Sequence, residues 1–218
     1  MKKNFIKLFL VLFFIIIVSI IFISILSKKI MPIYINYSES EIEKIVTVVV
    51  NRVVNETNLN DNLFIVKNDV NQTTIVDYDP VVINKIISSI SNNVYDNLKL
   101  IEQMDTNIFI KYNLDKSVFY VPSGIIFNSV MLNNLGPKIP LKLKLIGSVN
   151  PNIETKVTEY GINNSLIEVN IKVNTSIRMI LPLSSKDKKI TVVVPLTVKI
   201  IQGNIPEYYF GSLNKNNN

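Results

Sequence analysis

The sequence contains no cysteine, histidine, tryptophan or alanine. Without cysteine no disulfide can form, so a domain outside the cytoplasm must be held together by its core alone. Without cysteine and histidine, neither the common zinc sites nor a Cys–His or Ser–His–Asp catalytic unit can be built. These absences leave paired carboxylates, or oxygen-ligand Ca²⁺ and Mg²⁺ sites, as the remaining routes to catalysis or metal binding.

Charged residues are also few, making up 18% of the 218 residues, whereas 48% are hydrophobic. This balance excludes disorder over most of the chain. The length suits one membrane anchor followed by one domain, or at most two small ones.

The net charge of +6 belongs almost entirely to the N-terminus. Residues 1–29 contain five lysines and no acidic residue, while the rest of the chain carries 18 basic and 17 acidic residues. The domain itself is therefore nearly neutral, and nucleic acid is not expected as a partner.

The one long hydrophobic run is Leu8–Leu26, in which Ser19 and Ser24 are the only polar residues. As a helix these residues span about 28 Å, close to the hydrocarbon thickness of a bilayer. A cleaved signal peptide would be followed by an A-x-A-like site, whereas Ser27-Lys28-Lys29 follows here. The sequence therefore predicts an uncleaved single-pass anchor over residues 1–29, with the membrane lipid bilayer as a partner.

The lysines around this run predict its orientation. Three of them precede the run and two follow it, and the free N-terminus adds to the first group. Positive charge is retained on the cytoplasmic side, so the N-terminus is predicted in the cytoplasm and residues 30–210 outside it.

A helix–hairpin–helix portion is predicted over residues 39–103. The first helix, about residues 39–57, is expected to begin with Ser38 as its N-cap, and Glu41 completes a capping box. Two short apolar runs around residues 68–72 predict a hairpin. Asp79-Pro80 then suits the cap and first position of a second helix, which runs to about residue 103.

Residues 105–116 are predicted as a loop, 118–121 as a strand and 125–132 as a short helix. Beyond Pro137 the apolar residues alternate with polar ones, which predicts an antiparallel sheet region over 117–203. One face of such a sheet must be covered, and the two amphipathic helices can cover it. The predicted fold class is α+β, with long strands packed against two helices.

The stretch 133–164 is rich in glycine and proline and suggests the corners of this sheet. We expect turns at 147–152 and 161–164, the second requiring Gly161 in a positive-φ conformation. Lys142 and Lys144 then face solvent. Residues 211–218 are predicted to be a disordered tail.

Four segments carry a family likeness: LGPKIPLKLKLIG, TKVTEYGINNSLIEVNIKV, RMILPL and GNIPEYYFG. Together they resemble the sporulation protein YunB family of endospore-forming bacteria. The likeness covers most of the chain, and its specific part is residues 134–168. The resemblance implies a membrane protein made during spore formation and placed in the mother-cell-derived membrane surrounding the forespore. It carries no catalytic residues with it.

Two non-catalytic functions follow from these observations. The first is a non-enzymatic, membrane-anchored protein that acts in assembly of the spore envelope, with other spore-envelope proteins as partners. The second is a membrane-anchored domain that binds lipid or another hydrophobic ligand. A continuous apolar cavity within the roughly 300–1,000 Å³ of typical ligand pockets would favour the second.

A carboxylate enzyme is the third class considered. The candidate pairs are Asp77 with Asp79 and Glu154 with Glu159. Asp79 is better explained as a helix cap, and the two glutamates are five residues apart on a strand. They would face opposite sides about 17 Å apart, whereas a glycosidase needs roughly 5–9.5 Å. No catalytic, cofactor-binding or metal-binding residue is predicted.

Charge is unevenly divided between the two halves of the domain. Residues 30–120 carry 7 basic and 12 acidic groups, and residues 121–218 carry 11 and 5. A basic sheet face made by Lys142, Lys144, Lys172 and Arg178 could meet anionic lipid or wall polymers. The preferred alternative is that the two halves complement each other within the molecule.

Overall fold

The computed structural model describes residues 2–57, 64–68, 74–161 and 164–202. The helices are α1 (Lys2–Ile25), α2 (Met31–Glu56), α3 (Pro80–Glu102) and α4 (Thr106–Tyr112). The strands are β1 (Phe64–Asn68), β2 (Thr74–Tyr78), β3 (Tyr120–Pro122), β4 (Lys138–Pro140), β5 (Lys142–Tyr160), β6 (Asn164–Leu181) and β7 (Ser184–Gln202). The predicted α+β class, with a long antiparallel sheet and an N-terminal apolar helix, is confirmed.

The first two helices are joined without a loop. A single π-helical turn, Leu26–Ile30, connects α1 to α2. Pro32 follows, and its ring would crowd the carbonyl four residues earlier in a regular α-helix. A widened turn relieves that crowding.

The predicted helix start at Ser38 is wrong. The helix already runs from Met31, and Ser38 is buried within it, where its hydroxyl donates to the Tyr34 carbonyl at 2.7 Å. Extending an existing helix needs no new nucleation, so the run from the first helix overrides the local cap signal. The predicted apolar stripe of α2 is confirmed, because its members are all buried: Ile42, Ile45, Val46, Val49, Val53 and Val54.

The hairpin and second amphipathic helix are confirmed. β1 and β2 pair antiparallel, with Phe64 opposite Tyr78. Asp79 caps α3, since its Oδ1 accepts from the amides of Val81 and Val82 at 2.9 and 3.3 Å. The predicted stripe of α3 is buried at Ile86, Ile90, Val94, Leu98 and Ile101, and is partly exposed at Ile83 and Ile87.

The segment between α3 and the sheet differs from its prediction in three places. The strand expected over 118–121 begins only at Tyr120, because a 3₁₀ helix covers Lys116–Phe119. The expected loop 105–116 contains α4, capped by Asp105, whose carboxylate accepts from two amides. Its residues Ile108, Phe109 and Tyr112 are buried, so an apolar face at helical spacing outweighs the polar composition. The short helix expected over 125–132 is wrong. A 3₁₀ helix covers Ser123–Phe127 and ends where Asn128 takes a φ of 47°.

The main sheet has the order β5-β6-β7, so β6 is central. Its predicted inward row is confirmed, because these residues are all buried: Ile167, Val169, Ile171, Val173, Thr175, Ile177 and Met179. The prolines at 151 and 195 lie on the two outer strands, where a missing N–H costs no ladder hydrogen bond if it faces away from the neighbour.

Two details of the outer strands correct the prediction. The turn expected over 147–152 is absent, since β5 continues through these residues and buried positions keep their odd numbering from 143 to 151. In β7 the apolar row is buried from Ile190 to Val194, but Val198 and Ile200 are 60% and 49% exposed. The alternation of apolar and polar residues therefore predicts which face of the sheet a side chain is on. It does not predict whether a side chain near the end of the strand is buried.

The chain divides into two compact units. The first contains residues 1–46, 99–146 and 176–188, and the second contains 47–98, 147–175 and 189–218. The long helices and strands contribute segments to both. The predicted boundary between an anchor over 1–29 and a domain over 30–210 stays a prediction, and the predicted tail 211–218 lies outside the described residues.

Ion pairs join α2 to β7 in the first unit. Lys186 contacts Glu39 at 2.5 Å, and Lys188 contacts Glu43 at 2.7 Å and Glu39 at 3.5 Å. The ion pair with Lys186 holds the pKa of Glu39 below its usual value. Acidic and basic halves thus complement each other here, as the preferred charge hypothesis expected.

Acid should weaken this contact. The pKa of Glu39 is lower in the folded chain, so its contribution to stability is full above the unfolded pKa, about 4.5, and is lost as pH falls through the folded value. We expect Glu39→Gln to reduce the fall in the urea midpoint of the detergent-solubilised chain between pH 6 and pH 3. Glu159→Gln, an exposed carboxyl on β5, is the control. Equal acid sensitivity of Glu39→Gln and the parent chain would contradict the prediction.

The second unit contains the other segments of the same helices and strands. The Ser91 hydroxyl donates to the Val149 carbonyl at 2.7 Å, which fastens α3 to β5. On the outward face of the sheet, Lys172 contacts Glu154 at 2.8 Å.

Gly161 follows β5 with a φ of 74°, as the predicted corner requires. A side chain there would meet little, since the nearest atom to an added Cβ is the side-chain Nδ2 of Asn164 at 3.9 Å.

Gly161→Val is therefore expected to destabilise the chain by backbone strain alone, by about 1–3 kcal/mol. Gly161→Asn, which tolerates positive φ, should lose less. Urea unfolding measures both, and a normal midpoint for Gly161→Val together with lost spores would make this corner a binding surface instead.

Candidate functional site

A partly open cleft of about 450 Å³ lies in the first unit. It is formed where the end of α3, the β3–β4 pair and the start of β5 meet, with one residue from β6. Its lining combines apolar, aromatic and charged side chains: Glu102, Met104, Phe119, Tyr120, Pro140, Leu141, Lys142, Leu143, Lys144 and Ile180.

The end of α3 shapes one wall of the cleft. Met104 takes a left-handed conformation with a φ of 59°, and its amide donates to the Ile101 carbonyl. The Asp105 amide donates to the Leu100 carbonyl at 3.0 Å, which completes a Schellman-type helix end. The chain therefore turns sharply into α4 instead of covering the cleft.

Glu102 is the one acidic residue of the lining. Its Oε2 accepts from the Leu145 amide and from the Lys99 ammonium, both at 3.0 Å. Burial acts to raise its pKa, but these two donors and the charge of Lys144 together outweigh burial, and the pKa lies below its usual value. The carboxylate is thus ionised and fastens α3 to β5, which does not suit a general acid.

Lys142 and Lys144 supply positive charge at the cleft. They are exposed, while Leu141, Leu143 and Leu145 are buried, so the predicted alternation of this strand is confirmed. Neither lysine forms an ion pair within the described part of the chain. The cleft can therefore accept a ligand that has an apolar portion and an anionic group.

The predicted basic face is divided by the structure. Lys142 and Lys144 border the cleft, but Lys172 is held by Glu154, and Arg178 makes two hydrogen bonds to Asp187 at 2.6 and 2.8 Å. Pairing within the sheet thus takes up part of the charge that was considered for an external anion.

The carboxylate pairs weighed for catalysis are not brought together at the cleft. Asp79 caps α3, and the side chain of Asp77 lies outside the described residues. Glu154 and Glu159 lie on opposite faces of β5, as their spacing in a strand requires. The absence of catalytic, cofactor and metal residues stays a prediction.

Sequence reasoning missed the cleft. Its walls come from segments separated by up to 78 residues, and no local pattern joins Glu102 to Ile180. The one available signal was the Asp105 cap followed by apolar residues at helical spacing, which would have predicted α4 and hence a turn at Met104.

Comparisons with known proteins give two matches. A family profile described as sporulation protein YunB matches residues 118–208. The "Sporulation protein YunB" of Bacillus subtilis (strain 168) is 30% identical over 193 residues, which cover 86% of this chain and 74% of that protein. No solved structure matches. The profile spans the region from β3 to β7, which supplies most of the cleft.

Proposed function

This chain belongs to the sporulation protein YunB family, and from that membership we propose that it is a membrane-anchored, non-enzymatic protein acting in assembly of the spore envelope. The family supports a role in sporulation. The resemblance found in residues 134–168 is confirmed by both matches.

The observation that carries the anchoring proposal is the exposure of α1. Its apolar residues from Ile6 to Ile25 are all exposed, and it is the one described helix long and apolar enough to cross a bilayer. A core helix of a soluble protein would be mostly buried. At 24 residues α1 spans about 36 Å, which exceeds the hydrocarbon core of about 30 Å.

The orientation and location extend this proposal. The lysine distribution supports an N-terminus in the cytoplasm and a domain beyond the membrane. The family membership supports the mother-cell-derived membrane surrounding the forespore as the location. Other spore-envelope proteins are the proposed partners, and nucleic acid is not.

The proposal that the protein is not an enzyme rests on the partners and the pKa of its carboxylates. Glu102 is held by two donors in the cleft, and Glu154 is held by Lys172. A general acid or base works best with a pKa near the working pH, whereas the pKa of Glu102 is lowered.

Crosslinking and affinity capture of the tagged full-length chain from sporulating cells test the assembly proposal. We expect specific envelope proteins to be recovered. The matched control places an unrelated domain behind α1 and should recover none of them. Recovery of lipid without protein would contradict the proposal.

Protease digestion of protoplasts of vegetative cells that express the chain tests the proposed orientation. Resistance of the domain to the protease before lysis would contradict that orientation.

One observation favours a second candidate function, the binding of a lipid or another hydrophobic ligand. The cleft of about 450 Å³ falls in the size range of ligand pockets, and its lining pairs apolar walls with two lysines. The cleft is not a cavity on the inner face of the sheet, because the inward row of β6 is packed as core.

Native mass spectrometry of the purified full-length chain tests this candidate. We expect a bound anionic amphiphile, and a loss of most of it in Lys144→Glu. The control is Lys85→Glu, which changes an exposed lysine of α3 that is not among the residues lining the cleft. Equal occupancy in both variants would exclude the cleft.

A further inference from the structure

An uncharged surface loop lies in the first unit, between β3 and β4. Residues 117–137 contain no charged residue, and the loop, Ser123–Pro137, exposes several large apolar side chains. Val130 and Met131 are 94% and 89% exposed, and Phe127 and Leu135 are 63% and 57% exposed. Single exposed apolar residues are common, but a cluster of this kind marks a contact surface.

The loop is held in one shape by its own backbone. The Gly124 amide donates to the Leu135 carbonyl at 2.8 Å, and the Ser123 amide donates to the Pro137 carbonyl at 3.0 Å. At the tip, the amides of Leu132 and Asn133 both donate to the Ser129 carbonyl. These hydrogen bonds therefore hold Val130 and Met131 at exposed positions.

The loop is attached to α2 close to the end of α1. The Tyr34 hydroxyl donates to the Ser123 carbonyl at 3.3 Å, across 89 residues of sequence. Tyr34 follows Ile25 by nine residues, or about 13 Å along a helix. Helical side chains tilt toward the N-terminus, so the Tyr34 side chain is directed toward the α1 end of α2.

Leu183, in the turn before β7, is another exposed apolar residue at the same end of the unit. Lys186 pairs with Glu39 and Lys188 with Glu43, so β7 and α2 run in the same direction here. The turn that precedes β7 therefore lies farther toward α1, and its Leu183 is 66% exposed.

We infer that the loop Ser123–Pro137 is a second membrane-contact element, which places Phe127, Val130 and Met131 in the interface of the bilayer that α1 crosses. The inference rests on the proposed anchoring by α1. The bilayer is the occupant because the loop is uncharged and contacts α2 nine residues beyond the end of α1. Exposed lysines follow both apolar segments, Lys28 and Lys29 after α1 and Lys138 after the loop. Apolar side chains bordered by lysines are the chemistry of interfacial membrane contacts.

The absence of cysteine allows a direct test, because each introduced cysteine carries the only label. Met131→Cys in the full-length chain is labelled with an environment-sensitive dye and reconstituted in equimolar phosphatidylethanolamine and phosphatidylglycerol vesicles. We expect lipid-attached quenchers to quench this label several-fold more than an aqueous quencher does. Ile110→Cys is the matched control, an apolar residue of α4 that is 73% exposed and should favour the aqueous quencher.

A third label separates this inference from the anchoring proposal. Ile16→Cys lies in α1 and should be quenched from the lipid. Lipid quenching at Ile16 with aqueous quenching at Met131 would overturn the inference and leave the anchor intact, as expected if the loop instead docks a protein. Aqueous quenching at all three positions would overturn the anchoring itself.

Discussion

Val169→Asp is expected to abolish the fold of the sheet. Val169 is fully buried in the central strand β6, with neighbouring strands on both sides. An ionised carboxylate there would lose its water without gaining a partner, and a neutral one would still leave polar atoms unsatisfied. The cost is several kcal/mol, comparable to the whole free energy of unfolding of a small domain, about 5–15 kcal/mol.

The measurement is chemical unfolding of the full-length chain in detergent, followed by near-ultraviolet circular dichroism. The matched control is Asn170→Asp, which introduces the same group one residue along the strand on the partly exposed face. It should change the free energy of unfolding by no more than about 0.5 kcal/mol. Lys172 is a poorer control, because its partner Glu154 would face a like charge. A folded Val169→Asp with an unfolded Asn170→Asp would show that the register is off by one residue.

Gly124→Ala is expected to disrupt the loop Ser123–Pro137. A Cβ on Gly124 would overlap the Leu132 carbonyl oxygen and lie 2.7 Å from the Leu135 carbonyl oxygen. Both of these atoms belong to the backbone, and the Gly124 amide already donates to the Leu135 carbonyl. The backbone around Gly124 must therefore move away from the segment Leu132–Leu135. Overpacking costs about 1–3 kcal/mol in most cases and occasionally more, and a clash with two backbone carbonyls belongs at the upper end of that range.

Urea unfolding of the full-length chain measures that cost. Asn134→Ala, an exposed residue of the same loop, is the control and should leave the midpoint unchanged. The dye at Met131 provides a second readout, since its quenching by lipid should fall when the loop loses its shape. A parental midpoint for Gly124→Ala would mean that the loop relaxes without cost and is not held as described.

Local sequence determined the features that depend on near neighbours. The apolar run of α1 needs only its own length, the inward row of β6 needs only a period of two, and the Asp79 cap needs only the two amides that follow it. Periodicity and capping act over a few residues, so these features were predicted correctly. The family likeness added the link to sporulation, which no pattern of burial contains.

Tertiary structure decided whatever depends on distant segments. Ser38 carries a cap signal, yet it lies inside α2 because the helix extends from α1 and Tyr34 is packed against the chain around Ser123. The cleft joins Glu102 to Ile180, and the uncharged loop is held against α2 through one hydrogen bond that spans 89 residues. Such contacts form only after loop closure, whose entropy is offset by packing across the whole unit, and no local propensity encodes them.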